Sequence, residues 1–139
     1  MLFLDLYQID SYNGSDGNIL GSITLDATTA TTGTDGTFYV WEEILQNGPD
    51  GIALSGPCGL IEFISYEGQM TAVNGPAVGE TSVDVGVSES NSTTPVGYSL
   101  QLAGSGLTSG DFTWQAQQPN SSTAVNPGQT FGGANQAPI

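Results

Sequence analysis

The hydrophobic positions of the chain fall in short runs that alternate with polar positions, and turn residues separate the runs. The clearest example lies between Asn47 and Gly68. A dense turn cluster precedes the apolar residues 52–55, a second turn occupies residues 56–59, and residues 60–66 are rich in β-branched and aromatic side chains. Two strands joined by a short loop are most simply a β-hairpin. The pattern therefore predicts a central hairpin with the other strands arranged around it.

Further runs of alternating polarity predict the rest of the fold. They lie at residues 2–9, 19–26, 38–44, 98–102 and 112–116, with a short edge strand at 69–73. The mostly small and polar residues 74–94 form a long loop, of the kind that covers an edge or has a function. Residues 120–139 are expected to form an extended tail, packed on the sandwich of residues 1–119 or on a neighbouring copy, with Phe131 as its large apolar anchor.

Composition agrees with this all-β organisation and adds one unusual feature. No segment has a helical period over three turns, and the 139 residues include 20 Gly and 7 Pro, which is typical of a β-sandwich or barrel. The chain has 14 acidic residues and no Lys, Arg or His. A domain of this size is expected to hold about 15 basic residues. The carboxylates repel one another, so salt or multivalent cations are expected to stabilise the fold.

The missing basic residues exclude several classes of function. Without a cation to neutralise phosphate, binding to nucleic acid or to an anionic membrane surface is not expected. No apolar run reaches the about 20 residues that a membrane span requires. Residues 1–6 are apolar but contain Asp5 and no basic residue, so they predict a strand rather than a signal peptide. The chain also offers no trypsin site, which suits an extracellular location, although acidic surfaces are equally typical of salt-adapted proteins.

Candidate catalytic chemistry is sparse. Cys58 is the single cysteine, so the chain has no internal disulfide, and no His or Lys is present to activate a thiol. An intermolecular disulfide through Cys58 stays open beside the simpler interpretation of an ordinary turn residue. Glu42 and Glu43 are adjacent in a predicted strand and face opposite sides. Only Asp50 and Glu62 were candidates to approach each other across the hairpin, and we expect no catalytic residue and no enzyme activity.

A hard cation is the metal that the residue types allow. Asp10, Asn13, Asp16 and Asn18 cluster near one predicted turn and supply the oxygen ligands that Ca²⁺ prefers. Their spacing does not match an EF-hand loop, and the same residue types also form turns without any metal. A calcium site and a simple turn are therefore both compatible with this cluster, and no other cofactor is expected.

Six motifs occur in order along the chain. They are Asn-Gly-Pro-Asp-Gly-Ile-Ala-Leu from residue 47, Phe-Ile-Ser-Tyr-Glu-Gly from residue 63, Asn-Gly-Pro-Ala-Val-Gly from residue 74, Asp-Val-Gly-Val-Ser-Glu from residue 84, Thr-Pro-Val-Gly-Tyr-Ser-Leu-Gln-Leu from residue 94 and Asp-Phe-Thr-Trp from residue 111. Over residues 1–131 the chain resembles the bacterial branch of the lamin tail domain family. The resemblance implies an immunoglobulin-like β-sandwich with antiparallel or mixed sheets and long loops, found in secreted or surface proteins.

The chain departs from the family at its start, because it lacks the two strands with which members usually begin. An incomplete sandwich leaves an unpaired edge that recruits other strands. We therefore expect a non-catalytic extracellular or cell-surface structural protein whose partners are copies of itself, in a filament or surface layer. Strand 1–9 or the tail would fill the gap in a neighbour. The alternative is an accessory binding module of a secreted nuclease- or phosphatase-type protein.

Overall fold

The computed structural model describes residues 6–33 and 36–132 of the protein. Within these residues the chain forms ten strands and a short 3-10 helix at Ser109–Asp111, which confirms the predicted all-β class. The strands are β1 (Gln8–Asn13), β2 (Ile19–Thr24), β3 (Ala30–Gly33), β4 (Gly36–Tyr39), β5 (Asp50–Gly56), β6 (Gly59–Tyr66), β7 (Val83–Asp84), β8 (Tyr98–Gly106), β9 (Thr113–Pro119) and β10 (Gln129–Phe131). No helix in the described part of the chain combines the length and the hydropathy needed to cross a bilayer.

The predicted central hairpin is confirmed as the middle of a five-stranded mixed sheet with the order β2-β1-β5-β6-β7. β5 and β6 are antiparallel, with Ile52 opposite Ile64 and Gly56 opposite Gly59. Gly59 has a φ of +110°, a backbone conformation that glycine adopts without steric cost, so the turn can be short. β7 adds to β6 in parallel, and its two residues come from the long segment 74–94.

Within the described residues, the first strand lies later in the chain than the predicted strand 2–9. β1 begins at Gln8 and ends at Asn13, while residues 1–5 lie outside the described part of the chain. Polar residues of β1 are buried because their hydrogen bonds are made inside the sheet. Asp10 is 0% exposed, and its carboxylate accepts from Gln8 Nε2 at 2.8 and 2.9 Å and from the Ser22 hydroxyl. A search for alternating apolar residues does not detect such a strand.

One face of the five-stranded sheet, called the closed face here, carries the core. Tyr12, Ala53 and Phe63 lie on it and are covered by Met70, Ala72 and Ala77. The rings of Tyr12 and Phe63 are 5.2 Å apart, in a tilted arrangement. The covering residues belong to segment 69–82, where the predicted edge strand is replaced by an isolated bridge between Thr71 and Thr81.

Hydrogen bonds fix the covering segment to the closed face. The Tyr12 hydroxyl donates to the Asn74 carbonyl at 3.0 Å and accepts from the Ala77 N–H at 3.2 Å. Gly75, between them, has a φ of +70°, and a Cβ there would collide with Tyr12 and Ile19. The Ser82 hydroxyl contacts Ser65 at 2.6 Å and accepts from the Met70 N–H at 2.9 Å. These contacts hold the buried residues Met70, Ala72, Ala77 and Ser82 of an otherwise exposed segment against the sheet.

The second layer is a three-stranded sheet with the order β10-β8-β9. β8 and β9 are the two predicted C-terminal strands and pair antiparallel, with Leu102 opposite Trp114. β10 lies in the predicted tail and pairs in parallel with β8 of the same chain, and Phe131 contacts Phe112 with a ring separation of 5.3 Å. The remaining tail residues, 133–139, lie outside the described part. The two sheets make the β-sandwich that the sequence predicted.

The third predicted strand, at residues 38–44, is placed differently in the structure and belongs to a separate two-stranded hairpin. The strand is β4, which ends at Tyr39, and its partner β3 lies in a Thr- and Gly-rich segment where no strand was predicted. Residues 40–49 contain no strand, although residues 40–44 were predicted to continue one. Paired Thr residues hold the hairpin, with Thr32 and Thr37 hydroxyls 3.1 Å apart.

Candidate binding site

The main cavity lies between the second face of the five-stranded sheet, called the open face, and the three-stranded sheet. Ile52 and Ile64 are opposite each other in β5 and β6, and alternation places both on the open face. Leu100 of β8 and Trp114 of β9 line the cavity from the other sheet. The cavity measures about 350 Å³, and all four of these side chains remain partly exposed. We call it the inter-sheet pocket.

Carboxylates line the same pocket. Asp50 opens β5 and is only 1% exposed, because its side chain accepts hydrogen bonds from the Gly14 N–H at 3.0 Å and the Gln46 N–H at 2.7 Å. Glu67 follows β6 and accepts from the Gly48 N–H at 2.8 Å. Glu89 lines the pocket from the long segment 74–94 and is exposed. Three acidic residues therefore line the cavity together with apolar side chains and uncharged polar ones.

Tyr66 links the apolar and acidic parts of the pocket. It lies opposite Asp50 in the β5–β6 pairing, and its hydroxyl donates to the Gln46 carbonyl. The pKa of Tyr66 is raised to about 12, first by burial and then by the charges of Asp50, Glu67 and Glu89, which oppose formation of a phenolate. The phenol is thus neutral at physiological pH and sits in a negative electrostatic field.

The pocket does not bring together a recognisable catalytic pair. Glu62 is opposite Leu54 in the hairpin, while Asp50 is four residues earlier on β5, a distance of about 13 Å along a strand. The expected approach of Asp50 and Glu62 is therefore wrong. Cys58 is exposed in the β5–β6 turn, as its position predicted. Among the described residues, no three His, Cys, Asp or Glu side chains come close enough together to hold a metal ion.

The structure separates the four predicted calcium ligands. Asn13, Asp16 and Asn18 do share one turn, but Asp10 lies within β1, three positions before Asn13 and therefore on the opposite face of the sheet. Asn13 Oδ1 accepts from the Ser15 N–H at 2.8 Å, and Asp16 Oδ1 accepts from the Asn18 N–H at 2.9 Å. The placement of Asp10 in this turn was wrong, because its carboxylate is used inside the sheet. Calcium binding by the other three stays a prediction.

Two long outer strands form a second notable feature. β2 borders the five-stranded sheet and β9 borders the three-stranded one, and within residues 6–33 and 36–132 each pairs on one side only. The Leu25 N–H donates to the Tyr7 carbonyl. By antiparallel alternation, the backbone N–H and C=O groups of Ser22 and Thr24 therefore point away from β1. None of the 14 acidic residues lies on β2 or β9.

Comparison with protein-family models, with curated proteins and with solved structures gives no match to this chain. Its candidate sites are therefore assigned from its own residues and geometry.

Sequence reasoning missed the pocket, although it named some of its residues. Tyr66 and Trp114 were predicted only as parts of strands, and Asp50 was predicted as a turn residue and as a neighbour of Glu62. A usable signal was present in β5, where Asp50 and Ile52 alternate onto one face, and in β6, where Ile64 and Tyr66 do the same. When a carboxylate and a tyrosine ring share a strand face with apolar residues, that face of the sheet is expected to be only partly buried.

Proposed function

We propose that this protein is a non-catalytic structural subunit of the extracellular space or cell surface, which assembles with copies of itself by strand pairing. The observation that carries the proposal is the pair of uncharged outer strands, β2 and β9. An open edge strand is a template for another strand, and proteins that remain monomeric usually block such edges with charges, prolines or bulges. β2 has six residues without charge or proline, and β9 has seven with proline only at its end. Of the blocking features each strand has one bulge, at Leu20 in β2 and near Ala116 in β9.

The distribution of charge favours association of two copies through β2 and β9 over association through other parts of the surface. A net charge of −14 with no basic residue makes most orientations of two copies repulsive. No residue of β2 or β9 is charged, although the Glu43 carboxylate lies against Gly21 of β2. Pairing of β2 of one copy with β9 of the next is a heterologous contact, and repetition of a heterologous contact that does not close gives a filament.

The family resemblance belongs to the same proposal. A lamin-tail-like, immunoglobulin-like and bacterial identity fits the two-layer β architecture, and extracellular location fits the absence of trypsin sites. The sequence predicted that the tail, residues 120–139, could pair with a neighbouring copy, and this proposal assigns the pairing to other strands. Since β10 pairs with β8 of its own chain, the outer strands β2 and β9 replace the tail as the surfaces that pair with other copies.

The test is sedimentation velocity and negative-stain electron microscopy of the purified chain. Measurements at about 0.01 M and about 1 M ionic strength compare Debye lengths of about 30 Å and about 3 Å. Assembly is expected to increase with salt as repulsion is screened, and a calcium arm tests whether a divalent cation acts more strongly than its ionic strength predicts. Uniform monomers under all conditions would overturn the proposal.

A matched pair of variants isolates the edge. Leu20→Glu with Thr24→Glu adds two charges to β2, whereas Ser88→Glu with Val96→Glu adds two charges at exposed loop positions. Assembly through β2 requires the first variant to be monomeric and the second to assemble like the wild type. Equal loss in both variants would show that net charge rather than the edge controls association. Closed dimers lost only in the β2 variant would support strand pairing and reject the filament.

We propose as second candidate an accessory binding module of a secreted nuclease- or phosphatase-type protein. The inter-sheet pocket favours it, because clefts of about 300–1,000 Å³ with apolar walls and a few polar groups are common ligand sites. A chain that stays monomeric at all ionic strengths and binds a ligand in this pocket would support this candidate over the first.

A further inference from the structure

We propose that the inter-sheet pocket binds an organic cation: a protonated amine on an apolar body, either a free alkylammonium or the lysine side chain of a partner protein. This goes beyond the proposed assembly, since strand pairing at β2 does not depend on the pocket. Three properties of the pocket lead to this ligand: its apolar walls, its uncompensated negative charge and its supply of hydrogen-bond acceptors.

The apolar walls suit the body of such a ligand. Ile52 and Ile64 lie on one side and Leu100 and Trp114 on the other. A volume of about 350 Å³ is near the lower end for ligand sites and fits a short alkyl or aryl chain. The indole of Trp114 adds a π face, and among aromatic rings indole attracts cations best.

The negative charge selects a cation. Asp50, Glu67 and Glu89 line the pocket, and the chain contains no Lys, Arg or His that could neutralise them. Asp50 is buried, so its charge is screened by water less than a surface carboxylate would be. The same three charges, after burial, raise the pKa of the Tyr66 phenol, which lines the pocket beside them.

The hydrogen-bonding groups point to a donor-rich ligand. The Tyr66 hydroxyl donates its proton to the Gln46 carbonyl, so the hydroxyl oxygen can only accept a hydrogen bond from a further partner. The Asp50 carboxylate accepts two backbone N–H groups, and a carboxylate has about four acceptor sites. An ammonium group has three donors and no acceptor, which matches this set.

The spacing of the carboxylates favours an organic cation over a metal ion. In the part of the chain that the structure describes, no three acidic side chains converge on one point as Ca²⁺ ligands must. Charges spread around an apolar cavity still attract a cation whose body fills that cavity.

The test uses isothermal titration calorimetry together with the NMR signal of the Trp114 indole N–H. Probes are n-hexylammonium, the neutral isostere hexanol, and the peptide acetyl-Gly-Lys-Gly-amide. Hexylammonium or the peptide is expected to shift the Trp114 signal and to bind at least tenfold more tightly than hexanol, with affinity falling as salt is raised. Binding of both probes assigns the ammonium group as the ligand, whereas binding of one identifies its source.

Variants locate the charge effect. Glu89→Gln removes a charge from an exposed lining residue and is expected to weaken binding about fivefold, the factor for a coulombic loss of about 1 kcal/mol. Glu80→Gln is the matched control, because Glu80 is exposed and lies outside the pocket lining. Asp50→Asn is expected to weaken binding more, provided that its NMR spectrum shows a folded chain.

Three results would overturn the proposal. They are equal affinity for hexanol and hexylammonium, an equal effect of Glu89→Gln and Glu80→Gln, or no shift of the Trp114 signal with any probe. Because the β2 variants leave the pocket residues unchanged, a failure here and a failure of assembly are separate outcomes.

Discussion

The closed and open faces of the five-stranded sheet differ in how completely they are covered. On the closed face Tyr12 and Ala53 are 0% exposed and Phe63 is 6% exposed, beneath the covering segment 69–82. On the open face Ile52 and Ile64 remain partly exposed beside the inter-sheet pocket. Residues of the closed and open faces alternate along the strands, so neighbouring residues lie in different environments.

This difference predicts that changes on the two faces affect different properties of the protein. Burial of apolar surface is the main stabilising term in folding, and it is concentrated on the closed face. The open face retains apolar surface that is accessible, together with charges that no cation in the chain neutralises. A change on the closed face is therefore expected to affect unfolding, and a change on the open face to affect ligands more than stability.

The largest expected effect comes from adjacent residues on opposite faces. Phe63→Ala is expected to cost about 3–5 kcal/mol in the free energy of unfolding, because it opens a cavity in the core. Ile64→Ala is expected to cost about 1–2 kcal/mol, because only part of that side chain is removed from water. Urea denaturation followed by circular dichroism gives both values. Equal losses would show that the open face is as well packed as the closed one.

A second comparison removes one hydroxyl from each face. Tyr12→Phe leaves the buried Ala77 N–H and the Asn74 carbonyl without their partner, which is expected to cost about 1–3 kcal/mol. Tyr66→Phe removes a hydrogen bond to the Gln46 carbonyl at an exposed site and is expected to cost about 0.5–1.5 kcal/mol. Thermal unfolding ranks the two variants. A larger loss for Tyr66→Phe would place the critical hydroxyl on the open face.

The smallest effect is the pH dependence that Tyr66 contributes on the open face, beside Tyr12 on the closed face, whose pKa is also raised by burial. The pKa of Tyr66 lies at about 12 in the folded protein and at about 10 in an unfolded chain. Its contribution to stability is therefore complete below pH 10 and is lost as pH rises toward 12, because the unfolded chain releases the proton first. Tyr66→Phe is expected to reduce this slope.

Absorbance of the phenolate measures the same effect directly. Glu89→Gln is expected to lower the pKa of Tyr66, since the charge of Glu89 contributes to its elevation, whereas Glu80→Gln is expected to leave it unchanged. If both variants lowered the pKa equally, the field at Tyr66 would come from the total charge and not from the pocket.

Strand prediction succeeded where neighbouring residues carry the signal. The β5–β6 hairpin has clear turns at both ends and strong β-forming residues, so its position needs no distant contact. β2, β8 and β9 were found in the same way from alternating apolar side chains. β1 was predicted too early in the chain and β3 was not predicted, because polar residues dominate both and their strand conformation depends on pairing with β2, β5 and β4.

The amino-acid sequence by itself determined the all-β class, the central hairpin and the absence of any internal cation, because periodicity, turn residues and composition are local or additive properties. Tertiary structure decided which polar groups are buried and where the sites lie. Asp10 is buried because Ser22 and Gln8 bind it, and Trp114 lines the same pocket as Tyr66 only when the two sheets are in place. Such contacts depend on partners far along the chain, which no local pattern specifies.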